Sequence, residues 1–216
     1  MQKKISFSQI VGAIKAAVKK LDEEKRYLDR LDSPIGDGDH GRTVSNAFQK
    51  IVPLLEEGEA NNDIGRLLRG IGRNLALSAG AAAGPLYGMA FMEAGKVVEG
   101  KTDVGLEELT KMLEAAKEGI KKRGKAEVGE KTMLDTIHPA LESLKESLSK
   151  NLSLKDALQQ MKKAAKEGME STRDLISQKG RSSRLGERTR GHIDPGAASS
   201  YLIIEAVVDC LVNKLG

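Results

Sequence analysis

The residues of this chain best suited to chemistry lie in one glycine-rich stretch, residues 31–41. Asp32, Asp37 and Asp39 fall within eight positions there, separated by Pro34 and by glycines. Carboxylate oxygens are the hard ligands that Mg²⁺ and Ca²⁺ prefer, and Mg²⁺ commonly joins a few carboxylates to phosphate oxygens. Glycine permits the backbone turns that fold a loop around an ion. Because the same residues also make an ordinary exposed turn, spacing alone leaves both interpretations open.

The composition is that of a soluble globular chain with one sizeable core. The 216 residues carry a net charge of +4 spread over both signs, with no basic block and few aromatic residues. Platforms for stacking bases are therefore scarce, and we expect no nucleic-acid partner. The single cysteine, Cys210, fits a reducing compartment. Since no apolar run predicts a signal peptide or a membrane span, we expect a cytoplasmic protein without a membrane segment.

Helix-forming residues dominate and alternating strand patterns are absent, which predicts an all-α chain with one domain over residues 1–216. Caps such as Ser6 with Gln9, and apolar residues at helical spacing, indicate eight helices, the first with a break. They lie at about residues 7–31, 39–55, 63–75, 84–98, 106–123, 132–148, 153–178 and 194–215.

Mostly short connections predict that successive helices run antiparallel, up and down in turn. The loops that follow odd-numbered helices then share one end of the bundle, which we call the rim. These four loops hold the glycine, aspartate and arginine residues that stand out: residues 32–39, 78–85, 124–131 and 179–194. Helix N-termini at the rim would offer unpaired N–H groups to anions, although ordinary capping explains each helix start taken alone.

Two further side chains at the predicted rim have more than one interpretation. His40 would ligate a softer metal or, because its oxygen-rich surroundings favour Mg²⁺, would hydrogen-bond a ligand; an ordinary surface histidine is the plain alternative. Arg181 would make a charge-assisted contact to phosphate. The long loop that carries Arg181 would either close over a ligand or remain a solvent-exposed segment.

Residues 95–102, with the sequence GKVVEGKT, match the P-loop pattern in full. A working P-loop follows a β-strand and opens a helix, so that its backbone amides surround the phosphates. Here the match begins in the last turn of a predicted helix, and Gly100 suits a helix C-cap. Glu99 would also bring a negative charge toward the phosphates. We therefore expect no phosphate site at these residues.

On four motifs, the chain resembles the ADP-binding L subunit of dihydroxyacetone kinase and the matching domain of single-chain ATP-dependent kinases. The resemblance covers nearly the whole chain. It implies an eight-helix antiparallel up-down barrel with the nucleotide site at one end. The motifs are IGDGDHG (35–41), GPLYG (84–88), GKAE with KTMLD (124–127 and 131–135), and the stretch from GRSS to GHIDPG (180–196).

The resemblance also implies the site residues. Asp32, Asp37 and Asp39 would hold two Mg²⁺ that bridge the phosphates of ADP or ATP. Arg181 would be the catalytic residue, in a lid of about residues 180–193. The nucleotide would be surrounded by His40, Gly41, Arg42, Thr43, Ala82, Ala83, Gly124, Met133, Arg181, Asp194, Pro195 and Gly196.

The implied activity is transfer of the terminal phosphoryl group to dihydroxyacetone held on a separate K subunit. A phosphoenolpyruvate-dependent phosphocarrier, the M subunit, would rephosphorylate bound ADP, and exchangeable ATP is the alternative donor. Two departures from the family pattern bear on phosphate affinity and on donor or acceptor choice: residues 81–83 are all alanine where Gly-Ala-Ser is usual, and Arg42-Thr43 replaces a small or polar residue and Asn.

Three other interpretations remain open from the sequence. A relative without catalytic activity would bind nucleotide only to contact a partner such as a transcriptional regulator. A homodimer is a further possible assembly. A helical barrel with an apolar ligand in its core, and with an incidental rim, would gain no thermal stability from Mg²⁺–ADP.

Overall fold

Helices dominate the computed structural model, which describes residues 3–57, 62–77 and 83–214. The prediction of a mostly helical chain is confirmed. The strict all-α class needs one correction, because β1 (Ile5–Ser6) and β2 (Asp103–Val104) form a short antiparallel ladder. The helices in the described residues are α1 (Phe7–Glu23), α2 (Lys25–Asp32), α3 (His40–Gln49), α4 (Val52–Glu57), α5 (Ile64–Leu77), α6 (Ala83–Val97), α7 (Leu106–Gly124), α8 (Leu134–Ser149), α9 (Leu154–Ser171) and α10 (Pro195–Lys214).

The described residues form ten α-helices where eight were predicted, because two of the predicted helices are each divided in two. The expected break in the first helix falls at Glu24, between α1 and α2. The second predicted helix divides after Gln49, and α4 begins at Val52 with Pro53 in its first turn. Proline is tolerated there because the N–H groups of the first turn have no acceptor within the helix.

The helix predicted over residues 153–178 is too long. Helix α9 ends at Ser171, and a single 3₁₀ turn, Thr172–Asp174, follows it. Leu175 is then extended, with φ −85° and ψ 157°. The Thr172 hydroxyl donates to the Met169 carbonyl, and the Thr172 carbonyl accepts from the Leu175 N–H. These bonds close the helix end seven residues before the predicted end at residue 178.

Successive helices pack on one another along the chain, from α4 on α5 through to α9 on α10. Helix α10 packs back on α1, and α1 contacts α3 and α4. Helices α5 and α6 pack closely, because a Cβ added to Gly72 would lie 2.6 Å from the Gly88 carbonyl oxygen and one added to Gly88 would lie 2.7 Å from that of Gly72. The two glycines thus let the two backbones approach more closely than any larger side chain permits.

The interior between these helices is apolar, and it is not completely filled. Phe48 packs edge-on against Tyr87, with ring centroids 5.5 Å apart. A cavity of about 230 Å³ lies beside these rings, lined by Ile14, Phe91, Met112 and other apolar side chains.

One correction concerns the membrane expectation. Helix α10 is long and apolar enough to cross a membrane by length and composition, with a mean hydropathy of 1.4. It packs against α1, α8 and α9, and 44% of its most apolar window is buried inside the protein. Since the core helix of a soluble protein has the same properties, the finding is weak evidence for a membrane segment.

Candidate functional site

The acidic loop, residues 32–39, folds back on itself and gathers its three aspartates. The N–H groups of Ile35 and Gly36 both donate to the Asp32 carbonyl, at 3.0 and 2.6 Å, which closes a tight turn after α2. Carboxylate oxygens of Asp32, Asp37 and Asp39 then all lie within 4.8 Å of one another. Asp32 is buried, Asp39 is partly buried and Asp37 is exposed. The cluster therefore opens to solvent on one side.

Hydrogen bonds fix the Asp32 carboxylate, which the sequence makes the most distant member of the cluster. Its Oδ2 accepts from the backbone N–H groups of Asp39, at 3.0 Å, and His40, at 3.3 Å. A Cβ added to Gly36 would lie only 2.1 Å from Asp32 Oδ1, so glycine is required beside this carboxylate. The Asp32 side chain thus holds the end of the acidic loop against α3.

The start of α3 is capped from a neighbouring helix. Asp39 occupies the N-cap position, but its side chain makes no capping hydrogen bond. Asp29 Oδ1, on α2, accepts instead from the N–H groups of Gly41, at 2.8 Å, and Arg42, at 3.2 Å. Because Asp29 and Asp32 satisfy the helix start, the carboxylate of Asp39 is left for another partner. Asp29 was not singled out from the sequence, although it lies one helical turn before Asp32.

The donor set of this cluster fits a hard divalent cation. Three carboxylates at this separation repel one another unless a positive charge lies among them, and all the converging atoms are the oxygens that Mg²⁺ prefers. Among the described residues, the Arg181 side chain pairs with this cluster through Nη1 and Asp37 Oδ2. Arg181 comes from the loop of residues 179–194, so this ion pair joins that loop to the acidic loop.

Arg42 braces the acidic loop from outside. Its Nε pairs with Asp29 Oδ2 at 3.0 Å, and its Nη2 donates to the Gly38 carbonyl at 3.1 Å. Gly38 has φ +72°, the left-handed conformation that glycine adopts without strain. The Arg42 side chain is 63% exposed. Thr43, next along α3, is partly exposed and donates its N–H to the Asp39 carbonyl.

The sequence predicted that His40 hydrogen-bonds a ligand. In the structure, its ring belongs to a hydrogen-bond network within the protein. Its Nε2 lies 2.9 Å from Ser199 Oγ, and this hydroxyl lies 2.7 Å from the Tyr87 hydroxyl. The Tyr87 hydroxyl also reaches Ser200 Oγ, at 3.0 Å. Burial lowers the pKa of His40 against the opposing charge of Asp32, which favours the neutral ring.

The other predicted rim residues within the described part of the chain lie at the ends of four helices, α6, α7, α8 and α10. Ala83 and Gly84 open α6 and are buried, whereas Ala82 lies outside the described residues. Gly124 ends α7, and a Cβ placed on it would lie 3.2 Å from Leu86 on α6. A Cβ placed on Gly196 would lie 3.8 Å from the Met133 backbone nitrogen. The starts of α6, α8 and α10 and the end of α7 therefore meet at one end of the bundle.

Asp194 caps α10, and its carboxyl has a raised pKa. Its Oδ2 accepts from the Ala197 N–H at 2.7 Å, and its own N–H donates to Thr172 Oγ1 at 3.0 Å. Pro195 follows in the first turn and is buried. Burial raises the pKa of Asp194 to about 7, against the opposing effects of the Ala197 N–H and the Lys131 ammonium.

We expect Asp194→Asn to flatten the pH dependence of stability between about pH 4 and pH 7. The pKa of Asp194 is near 4 in an unfolded chain and about 7 in the fold, so the folded state holds the extra proton in this window. The wild-type free energy of unfolding then falls as pH rises through it. Asn retains an acceptor for Ala197 but cannot titrate. Urea unfolding at several pH values in this range measures how the free energy of unfolding changes with pH in wild type and in the variant. Equal slopes for the two proteins would contradict the raised pKa of Asp194.

The P-loop match at residues 95–102 has the wrong context, as predicted. It runs from the end of α6 into the turn before β2, and Gly100 has φ +74°. Its lysine, Lys101, pairs with Glu108 at 3.0 Å and lowers the pKa of that carboxyl. The match thus forms a helix end tied to α7, with its lysine committed to a carboxylate.

Lys101→Met is accordingly expected to leave ADP affinity unchanged within about twofold. A P-loop lysine contacts the β- and γ-phosphates directly, so its loss would strongly weaken nucleotide binding. Lys101 instead makes an ion pair near the surface, and loss of such a pair changes stability only slightly. Fluorescence titration with a labelled ADP analogue and Mg²⁺ compares the variant with wild type. A large loss of affinity would place the nucleotide at residues 95–102 instead of at the rim.

The fold and the site define a helical protein that carries a carboxylate cluster at one end, with an arginine-bearing loop across it. The DAK2 domain family matches residues 34–209. The chain belongs to this family, as the four motifs predicted.

Two relatives and one solved structure illustrate the similarity. The chain is 39% identical over 201 residues to the ADP-binding subunit DhaL of the PEP-dependent dihydroxyacetone kinase of Escherichia coli (strain K12), covering 93% of this chain and 95% of that protein. It is 40% identical over 192 residues to the ADP-binding subunit DhaL of PEP-dependent dihydroxyacetone kinase 2 of Listeria innocua, covering 88% of each. The crystal structure of the C. freundii dihydroxyacetone kinase in complex with AMP-PNP and Mg²⁺ is similar with a TM-score of 0.69 and 27% identity, over 97% of this chain and 35% of that one.

Proposed function

We propose that this chain is the nucleotide-binding subunit of a dihydroxyacetone kinase. It binds ADP or ATP at the rim and passes the terminal phosphoryl group to dihydroxyacetone held on a partner K subunit. The observation that carries the proposal is the convergence of Asp32, Asp37 and Asp39 within 4.8 Å, with the lid residue Arg181 paired to Asp37. Relatives named as ADP-binding subunits match this chain over most of their length, which supports the proposal.

The proposed architecture is a single domain over residues 1–216, an eight-helix antiparallel up-down barrel with the nucleotide at one end. Counting α1 with α2 and α3 with α4 as two broken helices reduces the ten described helices to eight. Helix contacts that run from α1 through α4 to α10 and back to α1 support a closed barrel. The lid, residues 180–193, then covers the open end.

In this proposal the three aspartates hold two Mg²⁺, which neutralise phosphate charge when bound. The chain's own residues position the nucleotide. The network of His40, Ser199 and Tyr87 fixes the start of α3 beneath the phosphates, and the starts of α6 and α10 turn N–H groups toward them. Arg181 adds a further positive charge from the lid, and this charge would stabilise the negative charge that spreads over the transferring phosphoryl group. The nucleotide contacts come from His40, Gly41, Arg42, Thr43, Ala82, Ala83, Gly124, Met133, Arg181, Asp194, Pro195 and Gly196.

The donor we propose is a phosphocarrier M subunit that rephosphorylates bound ADP from phosphoenolpyruvate, in the cytoplasm. The support is that relatives named as PEP-dependent kinase subunits match this chain over most of its length. No nucleic-acid or membrane partner enters this proposal.

The test is a reconstituted assay with purified K and M subunits of a related system. We expect dihydroxyacetone phosphate to form from phosphoenolpyruvate when all subunits are present, without added ATP. Product formed only with ATP would overturn the proposed donor. If the chain binds ADP but yields no product with either donor, it is the non-catalytic relative, and titration against a candidate regulator follows.

The apolar cavity between the helices favours one alternative, a barrel that binds an apolar ligand. Its lining is formed by side chains such as Ile14, Phe91 and Met112. Thermal unfolding with and without Mg²⁺–ADP distinguishes the two functions. A nucleotide site predicts a higher melting temperature with ligand, whereas a core-ligand protein with an incidental rim predicts no change.

A further inference from the structure

The lid is joined to the body through a narrow neck, formed by residues 172–177 on one side and residues 189–194 on the other. Each side of the neck bonds to the other by hydrogen bonds of 2.8 to 3.0 Å, so the two chain segments lie side by side. Thr172 and Thr189 are fully buried there, and Ser177 nearly so. The bonded pairs are Thr172–Asp194, Arg173–Gly191 and Ser177–Thr189.

A lysine from a different element reaches both sides of this neck. Lys131 lies in the loop between α7 and α8, and only 1% of its surface is exposed. Its Nζ donates to the carbonyl of Thr172 on one side and to the carbonyl of His192 on the other. One ammonium group thus bonds to the segment that enters the lid and to the segment that leaves it.

The α7–α8 loop is built to send this side chain inward. Lys131 has φ +60°, a left-handed conformation that is unusual for a lysine. Asp135 at the start of α8 fixes the loop around it, because its carboxylate accepts from the N–H groups of Gly129, at 2.5 Å, and Thr132, at 2.7 Å. The loop conformation therefore directs the Lys131 side chain inward, independently of its contacts with the neck.

A buried ammonium is costly unless its hydrogens are bonded and its charge is balanced. Lys131 meets both conditions with two carbonyls and the nearby carboxylates of Asp194 and Asp135, which oppose the lowering of its pKa by burial. An apolar side chain of similar length, such as that of Met, would fill the same space but could not donate hydrogen bonds to the two carbonyls. The charge is thus placed where the lid joins the nucleotide-contacting start of α10.

The neighbouring residue adds a weaker contact. The Glu130 carbonyl accepts from the Gln178 N–H at 3.1 Å, and its carboxylate lies 3.3 Å from Lys179 Nζ. The Lys179 side chain is 36% exposed, so this ion pair contributes little. Lys131, and not Glu130, is the contact that bridges the neck.

We propose that Lys131 is a positioning residue for phosphoryl transfer: its ammonium clasps the two sides of the neck and thereby holds the lid where Arg181 meets the acidic loop. The proposal rests on the proposed function for its catalytic consequence, but the clasp itself consists of contacts within this chain. Its action is indirect, because the contacts of Lys131 are to the neck and not to the acidic loop.

Hydrogen–deuterium exchange of the nucleotide-free protein tests the clasp without reference to activity. In Lys131→Met, we expect amides of residues 175–193 to exchange about tenfold faster or more, the effect of losing charge-assisted hydrogen bonds, while amides of α5 to α7 keep their wild-type rates. Lys131→Gln retains N–H donors without the charge, so its amide exchange rates should lie between those of wild type and those of Lys131→Met. The Gln variant carries the test if the Met variant does not fold.

Lys162→Met is the matched control. Lys162 is partly buried and pairs with Asp209, joining α9 to α10 away from the neck, so its replacement should leave lid exchange unchanged. Unchanged lid exchange in both Lys131 variants would overturn the proposal. Faster exchange spread evenly over all helices would also overturn it, since Lys131 would then stabilise the whole fold.

The kinetic consequence is a split between kcat and KM in the reconstituted assay. We expect kcat to fall at least about tenfold in Lys131→Met, with KM for dihydroxyacetone unchanged, because the ketose is held on the partner subunit. A raised KM with unchanged kcat would overturn the positioning role. If wild type itself binds no ADP, the proposed function fails, whereas the exchange experiment still decides the clasp.

Discussion

Replacing Asp37 with Asn is expected to weaken Mg²⁺-dependent ADP binding by at least about a hundredfold, without unfolding the protein. Loss of a residue that merely supports a metal ligand costs about 10–100-fold in affinity, so loss of a ligand should cost no less. Asp37 is exposed, so its replacement removes little buried structure. Isothermal titration with ADP at fixed Mg²⁺ measures the loss, and circular dichroism checks the fold.

Asp103→Asn provides the matched control. Asp103 is a similarly exposed aspartate paired with a cation, Lys4, at 2.8 Å, but it lies in the β1–β2 ladder, outside the acidic loop. We expect it to bind ADP as wild type does. If Asp37→Asn also binds ADP normally in the presence of Mg²⁺, the acidic loop is not the cation site, and the proposed role of all three aspartates is wrong.

Arg181→Met is expected to lower the rate of phosphoryl transfer about a thousandfold while changing ADP affinity by about tenfold or less. An arginine that meets the transferring group stabilises charge that develops in the transition state, and such residues contribute about 10³–10⁵ in rate. Arg181 is 68% exposed and pairs with Asp37 from the lid, a position from which it reaches the open side of the cluster. Single-turnover transfer in the reconstituted kinase measures the effect.

Arg184→Met is the control for Arg181, because Arg184 is an exposed arginine of the same lid segment, Ser182–Thr189. It should retain near wild-type transfer. Equal losses in the two variants would show that the lid needs its overall charge rather than a particular guanidinium. A rate unchanged in Arg181→Met would contradict the catalytic assignment.

Much of the fold was predictable because local signals mark it. The Ser6–Gln9 capping box opens α1 as the sequence predicted, Ser153 caps α9, and Asp194 caps α10. The end of α9 was missed because Thr172, whose local bonds close the helix, is also held by a contact from outside it. The Thr172 hydroxyl accepts the Asp194 N–H, and no pattern within residues 153–178 records that contact.

The candidate site divides in the same way. Three aspartates in eight positions are visible as a pattern, and they do converge. The two residues that hold the site in place were not visible. Asp29 caps α3 from another helix, and Lys131 is a charged residue whose burial depends on the tertiary fold. Sequence types indicate which side chains suit a ligand, whereas the residues that support them are identified only by their partners.

Native mass spectrometry of the gently purified protein tests the central claim most directly. The claim is that the three aspartates at the rim hold a nucleoside diphosphate through Mg²⁺. We predict a mass increase equal to one ADP and two Mg²⁺, lost on chelation and absent from Asp37→Asn. A wild-type protein that retains no nucleotide, and takes up none when Mg²⁺ and ADP are supplied, would contradict the account.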